Sequence, residues 1–254
     1  MKLFRFYILI NLLLILISNI NFLKEKKMIE LTAHRGDSLN YDENTLSSFK
    51  SAKEIGADWI ELDVQETKDK KLVVTHDYDL KRILNVNKKV SALTYKELIK
   101  LDNREDKIPL LEDAIKFAID NDIKLNIELK GNKNDDGFVY NVLDLINKYD
   151  FTDKCVISSF KYKLLLEIKE KQSEIKTIYN ISKMKDNILD YKVDGYSINK
   201  TVVNKKLVDL IHDNQKEIFV WTINNEEDIK KMIEINVDNI ITDNVKLVKE
   251  IINE

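Results

Sequence analysis

Glu61 and Asp63 stand two residues apart in the run Ile60-Glu61-Leu62-Asp63-Val64. On a strand, residues i and i+2 share a face. The two carboxylates therefore project together, while Ile60, Leu62 and Val64 project the other way. Unpaired carboxylates side by side in a low-dielectric site repel and are costly to bury, a cost that a divalent cation resolves. A second alternating run, Leu125 to Lys130, puts Asn126, Glu128 and Lys130 on one face, so Glu128 offers a third carboxylate to a hard cation such as Mg²⁺ or Ca²⁺. His34 and His76 are two of only three histidines in 254 residues. Imidazole, with an ordinary pKa of about 6.5, suits general acid and general base work near neutral pH. Arg35 can grip two phosphate oxygens through its planar fork, and Lys130 adds a point charge. Taken singly, each has a plainer reading as a solvated strand face or a structural histidine. Those plainer readings give way only when the surrounding motifs are counted with them.

These side chains need strands that end at one mouth. The body of the chain alternates short apolar strands with amphipathic helices, the pattern of βα units. Leu31 to Ala33 read as a strand, and Leu46, Phe49, Ala52 and Ile55 line one helix face. The link from Gln65 to Lys71 is too short for a crossover helix. Leu72 to His76 is therefore expected to return as a hairpin or a very tight neighbour, and a hairpin would bring His76 back toward Glu61 and Asp63. Residues 78–108 read as irregular apart from a helix near Thr94 to Leu101, and Pro109 reads as opening the next helix. Later units are expected as helix 138–149, strand 154–158, helix 161–171, strand 175–179, helix 183–191, strand 194–198, helix 203–214, strand 217–222, helix 225–235, strand 238–241 and helix 243–252. That makes nine strands, with the hairpin as the surplus over an eight-stranded barrel.

From His34 to Asp77 the chain resembles the start of the glycerophosphodiester phosphodiesterase family. The likeness lies in His34-Arg35-Gly36, Glu43-Asn44-Thr45, Gly56-Ala57-Asp58, Ile60 to Val64, Thr67-Lys68-Asp69 and Val73-Val74-Thr75-His76-Asp77, in the family's order and spacing. Val220 to Asn224 and Ile240 to Asp243 carry it toward the C-terminus. Asp42 departs from the family where proline usually precedes Glu-Asn-Thr, and Lys70 departs where a turn glycine is common; both lie in loops. The resemblance implies a TIM (β/α)8 barrel, a single catalytic domain over 28–254 with a short insertion after the second histidine. In such barrels the active site lies at the C-terminal strand ends, where His34, Glu61, Asp63, His76, Glu128, Lys130 and Trp221 all fall.

The resemblance further implies hydrolysis of glycerophosphodiesters to sn-glycerol 3-phosphate and an alcohol through a cyclic phosphate. His34 and His76 would be acid and base, Glu61, Asp63 and Glu128 the metal ligands, and Arg35 and Lys130 the phosphate holders. Glu43 is expected to orient Arg35, and Asn44 to cap the following helix. Trp221, with Phe160, would wall the glycerol carbons, while His212 reads as surface or structural. Two rivals stand beside this reading: a phospholipase D-like enzyme acting on lysophospholipids, and a silent barrel that only binds phosphodiesters. A net charge of −3 leaves no electrostatic footprint for nucleic acid, and the single Cys155 allows no internal disulfide. Residues 1–27 form a separate hydrophobic segment: Lys2 and Arg5 precede the apolar stretch 6–23, and Lys24, Lys26 and Lys27 close it. It reads as a signal anchor or signal peptide, so the protein is expected to be membrane-anchored or exported. The alternative is a cytoplasmic protein starting at Met28. Oligomeric state is not legible.

Overall fold

Strand and helix alternate along the residues described, 28–131 and 137–253 of a computed structural model. β1 (Glu30–His34) leads through a loop into α1 (Leu46–Ile55) and then β2 (Trp59–Glu66). β3 (Leu72–Val74) folds back antiparallel on the far end of β2, pairing Val64 with Val74 and Glu66 with Leu72. The segments α2 (Lys81–Leu84), α3 (Tyr95–Leu101) and α4 (Leu111–Asp120) lead to β4 (Lys124–Leu129). Then come α5 (Phe138–Lys148), β5 (Cys155–Ser159), α6 (Tyr162–Lys171), β6 (Lys176–Ile181) and β7 (Gly195–Asn199). The chain ends with α7 (Lys205–Asp213), β8 (Glu217–Trp221), α8 (Glu226–Ile235), β9 (Asn239–Thr242) and α9 (Val245–Ile252). All neighbours except β3 are parallel, and β1 pairs with both β9 and β2, so the eight strands other than β3 close into a TIM barrel. β1 covers β2 only from Trp59 to Glu61; beyond that rim β3 takes its place. The surplus strand is the expected hairpin.

Alternation along each strand sorts the residues. Ile60, Leu62, Val64, Leu125, Ile127 and Leu129 face outward into the core shared with the helices. Inside the barrel, Trp59, Val156, Ile178, Phe219 and Ile241 form a separate apolar plug toward the N-terminal strand ends. Above the plug the buried residues at inward positions change character to Glu61, Asp63, Asn126, Glu128, Ser158, Asn180 and Ser197. Barrel interiors are ordinarily filled by branched apolar residues, so this polar upper half calls for a polar occupant.

Loop chemistry fixes how the first strand meets the mouth. Thr45, not the expected Asn44, caps α1, in a capping box with Ser48. Gly36 sits at φ +79°, and a Cβ there would lie 2.3 Å from Ser48 Oγ, so only glycine lets the loop lie against the helix start. After His76, residues 78–108 build a small core of their own from Leu80, Val90, Leu93, Leu98 and Ile108, packed on Val73. Pro109 precedes α4 rather than opening it, since the helix begins at Leu111.

Two further expectations are corrected. The predicted helix 183–191 is only a 3₁₀ turn at Ile188–Asp190, entered through Asn187 at φ 52°. Apolar spacing suggests a helix, but Tyr162, Tyr179 and Tyr191 pack ring to ring here, centroids 4.8–5.6 Å apart, and cover the wall instead. The expectation of a membrane-anchored or exported protein is corrected as well: among the described residues no helix is long and apolar enough to cross a membrane. The stretch 6–23 on which that expectation rests lies outside the described residues.

Candidate active site

Glu61 and Asp63 rise from β2, and Glu128 rises from β4, where it is the register partner of Asp63. One carboxylate oxygen from each lies within 4.8 Å of the other two, and all three residues are buried. Lys130 Nζ lies 2.8 Å from Glu128 Oε1 and 3.3 Å from Asp63 Oδ1, and Arg35 Nε lies 3.3 Å from Asp63 Oδ2. Asn44 Nδ2 donates to Asp63 Oδ2 at 2.9 Å, Asn180 Nδ2 donates to Glu128 Oε2 at 3.0 Å, and the Arg35 amide donates to Glu61 Oε2 at 3.0 Å.

These partners do not balance the trio. Burial, then the neighbouring charges of Asp63 and Glu128, pushes Glu61 up to about 8. Burial and Asp63 also raise Glu128, against Lys130. Asp63 alone is held low: burial opposes its ionisation, but Lys130 and Arg35 outweigh it. An all-oxygen donor set with surplus negative charge suits a hard divalent cation. The trio could hold a metal ion, and its uncompensated charge is the observation that fits one.

His34 ends β1, and His76 follows β3. Each ring is held through Nδ1 by an aspartate: His34 by Asp243 Oδ1 at 2.6 Å, His76 by Asp77 Oδ1 at 2.7 Å. An aspartate at Nδ1 favours the proton there, which leaves Nε2 as the nitrogen for chemistry. His34 Nε2 lies 3.9 Å from Glu61 Oε2. Asp243 is itself held by Asn224 Nδ2 at 2.7 Å and Ser38 Oγ at 3.3 Å. For His34, burial lowers the pKa, but the Asp243 hydrogen bond and the Glu61 charge outweigh it and the pKa rises. For His76, burial again leads, Lys130 and Arg35 add to it, and the pKa falls despite Asp63 and Asp77.

A cavity of about 210 Å³ opens between these groups, lined by His34, Arg35, Glu61, His76, Glu128 and Lys130, with Phe160 and Trp221 on its wall. Those two rings meet edge to face with centroids 5.6 Å apart. Asn126 Oδ1, Ser158 Oγ and Asn180 Oδ1, buried in the same cavity wall, have no hydrogen-bond partner among the described residues. Buried polar atoms are rarely left so, and they mark a surface made to meet polar groups.

Every residue expected at the mouth is brought there. Glu43 Oε1 accepts from Arg35 Nη1 at 3.1 Å. Asn44 acts differently from expectation: besides gripping Asp63 Oδ2, its Oδ1 accepts from the Asp63 amide at 3.2 Å. His212 lies apart from the mouth, with Nε2 2.9 Å from Asp238 Oδ2. Sequence reasoning misses Asp243, Arg82, Ser158 and Asn180 as mouth residues. Asp243 closes the run Ile240 to Asp243 and directly follows a strand, which is the available signal. The others have none: Arg82 reaches Glu43 and Asn180 reaches Glu128 across long stretches of chain, and Ser158 Oγ has no partner to betray it.

The profile of the glycerophosphoryl diester phosphodiesterase family matches residues 34–247. A glycerophosphodiester phosphodiesterase of Caldanaerobacter subterraneus is 36% identical over 224 residues, covering 83% of this chain and 92% of that protein. Another of that name, from Bacillus altitudinis, is 34% identical over 232 residues, covering 85% and 95%. An Oleispira antarctica phosphodiesterase, solved with the product sn-glycerol-3-phosphate, superposes with a TM-score of 0.83 at 24% identity. It covers 89% of this chain and 98% of its own, and the likeness is one of fold.

Proposed function

The chain belongs to the glycerophosphoryl diester phosphodiesterase family, and from that premise we propose how its barrel mouth carries out the reaction. It is a phosphoric diester hydrolase that splits glycerophosphodiesters into sn-glycerol 3-phosphate and an alcohol. In the proposed reading residues 28–254 form the one catalytic domain. The observation that carries the mechanism is the buried acidic trio, with oxygens within 4.8 Å, set in a cavity lined by both imidazoles and by Arg35 and Lys130.

Glu61, Asp63 and Glu128 would hold Mg²⁺ or Ca²⁺. When bound, such a cation acts as a Lewis acid toward a phosphate oxygen. Arg35 and Lys130 bind the phosphate, the first as a fork and the second as a point charge. Trp221 and Phe160 pack against the glycerol carbons and keep water from that side. One imidazole takes the proton of the substrate's neighbouring glycerol hydroxyl through Nε2, and that oxygen forms the new bond to phosphorus. The other imidazole gives a proton to the departing alcohol oxygen as its bond to phosphorus breaks. Water then opens the cyclic phosphate with the two roles exchanged. Asp77 and Asp243 keep hold of the Nδ1 proton of each ring throughout, so that only Nε2 exchanges protons.

Purified protein is expected to release sn-glycerol 3-phosphate from glycerophosphocholine or glycerophosphoethanolamine with Mg²⁺ or Ca²⁺, and to stop when EDTA is added. Full turnover in EDTA would refute the metal assignment. Preferential cleavage of lysophosphatidylcholine in the same panel would move the substrate assignment to lysophospholipids.

A further inference from the structure

The geometry points to Arg82, on the short helix α2 of the insertion, as a positioning residue that aims His76 and Arg35 together. Its Nη1 donates to Glu43 Oε2 at 2.8 Å, its Nη2 donates to Glu43 Oε1 at 2.6 Å, and its Nε donates to Asp77 Oδ2 at 2.5 Å. Each carboxylate passes the contact inward. Asp77 Oδ1 lies 2.7 Å from His76 Nδ1. Glu43 Oε1 accepts from Arg35 Nη1 at 3.1 Å, and Arg35 Nε lies 3.3 Å from Asp63 Oδ2. One guanidinium therefore joins the second histidine, the phosphate-binding arginine and the acidic trio in a single run of charged contacts.

Only arginine suits this place. Its planar fork meets both oxygens of Glu43 while the third nitrogen reaches Asp77, and a lysine's point charge could not do all three. Nor can α2 hold the residue by itself, being four residues long with no side-chain cap. Leu80, just before it, is fully buried in the insertion's small core, and that core anchors the base of the arginine. The head is half exposed, at 49%. Exposed ion pairs add little to stability, so the value of these contacts lies in aim. The insertion then has a use: its apolar core delivers one arginine to the rim.

The inference rests on the roles proposed above for His76 and Arg35, and steady-state kinetics on glycerophosphocholine with the full chain separate the two. Arg82→Ala is expected to lower kcat roughly 10- to 100-fold and to raise KM, with the thermal midpoint unchanged. Asp77→Ala should lower kcat alone, and Glu43→Ala should raise KM alone. Added to Asp77→Ala, the Arg82 change should cost no further kcat; added to Glu43→Ala, it should raise KM no further. Arg82→Lys should keep part of the rate. Wild-type kinetics for Arg82→Ala, full multiplication of effects in both double variants, or an equal loss in Lys81→Ala would overturn the inference. Should Arg82→Ala fold poorly, Arg82→Gln reads the same coupling. Wild-type turnover by His76→Ala would instead overturn the underlying reading of the site, so the two failures are distinct.

Discussion

The two ends of the barrel interior are built from the same strands with the same alternation, yet they treat charge in opposite ways. At the N-terminal ends, beneath the apolar plug, acids and bases meet one to one. Glu30 pairs with Lys124 at 2.7 Å and also accepts from Trp59 Nε1 at 2.9 Å, and Lys176 pairs with Glu217 at 2.7 Å. These pairs are partly exposed and close the floor. At the C-terminal ends three buried carboxylates face Lys130 and Arg35, and Arg35 is shared with Glu43. The floor is balanced and shut; the mouth is unbalanced and open. Stability would be better served by the first arrangement everywhere, since uncompensated buried charge is costly. The mouth keeps its imbalance for an occupant.

Breaking the mouth should therefore cost activity and breaking the floor should not. The largest effect is expected from His34→Ala and His76→Ala, each lowering kcat about 10²- to 10⁴-fold while circular dichroism stays native; a near-normal rate in either removes that residue from the chemistry. Next, Lys130→Ala should destabilise the cation-free protein by about 3–5 kcal/mol, because Asp63 and Glu128 lose their shared partner. Denaturant melts in EDTA test this, and an unchanged midpoint would mean that the mouth is better balanced than its geometry implies. Added Mg²⁺ or Ca²⁺ should raise stability by about 2.7 kcal/mol at a hundredfold excess over Kd, an effect that Glu61→Gln should blunt.

A smaller effect belongs to the insertion, whose buried acid is fully satisfied. Burial opposes ionisation of Asp102, but Arg104 and the amides of Ile108 and Arg104 hold its pKa below the ordinary value. A depressed folded pKa means that the unfolded chain binds more protons as the solution is acidified. The stabilisation is thus whole above the unfolded value near 4 and drains away as pH falls through the lower folded value. Asp102→Asn should cost about 1–3 kcal/mol at pH 7 and flatten the acid limb of the stability curve below pH 4. The smallest change is expected at the floor, where Lys124→Ala should cost no more than about 1 kcal/mol and leave kcat untouched. A loss of turnover there would end the contrast between the two ends.

Much of the mouth is legible in the amino-acid sequence. Glu61 and Asp63 are spaced by the period of a strand, as are Asn126, Glu128 and Lys130, and a strand's faces follow from that period alone. The hairpin is legible because Gln65 to Lys71 cannot span a crossover. Helix 183–191 misleads because an apolar spacing states only that a face is covered, not by what. Three tyrosines from separate segments cover it. Asn44 is expected at a helix cap because local rules favour it there; its actual partner, Asp63, is set by the closing of β1 on β2.

The sequence by itself determined the alternation of strands and helices and, on β2 and β4, the sorting into an outward apolar face and an inward one bearing Glu61, Asp63 and Glu128, and so the residue types that could do chemistry. Those properties follow from local geometry repeated along the chain. Tertiary structure alone decided that Asp243 reaches His34, that Asp77 and Glu43 share Arg82, and that one end of the barrel is neutralised while the other is not. Contacts of that kind depend on which loops a closed barrel brings to one rim, and the length of chain between them carries no trace of it.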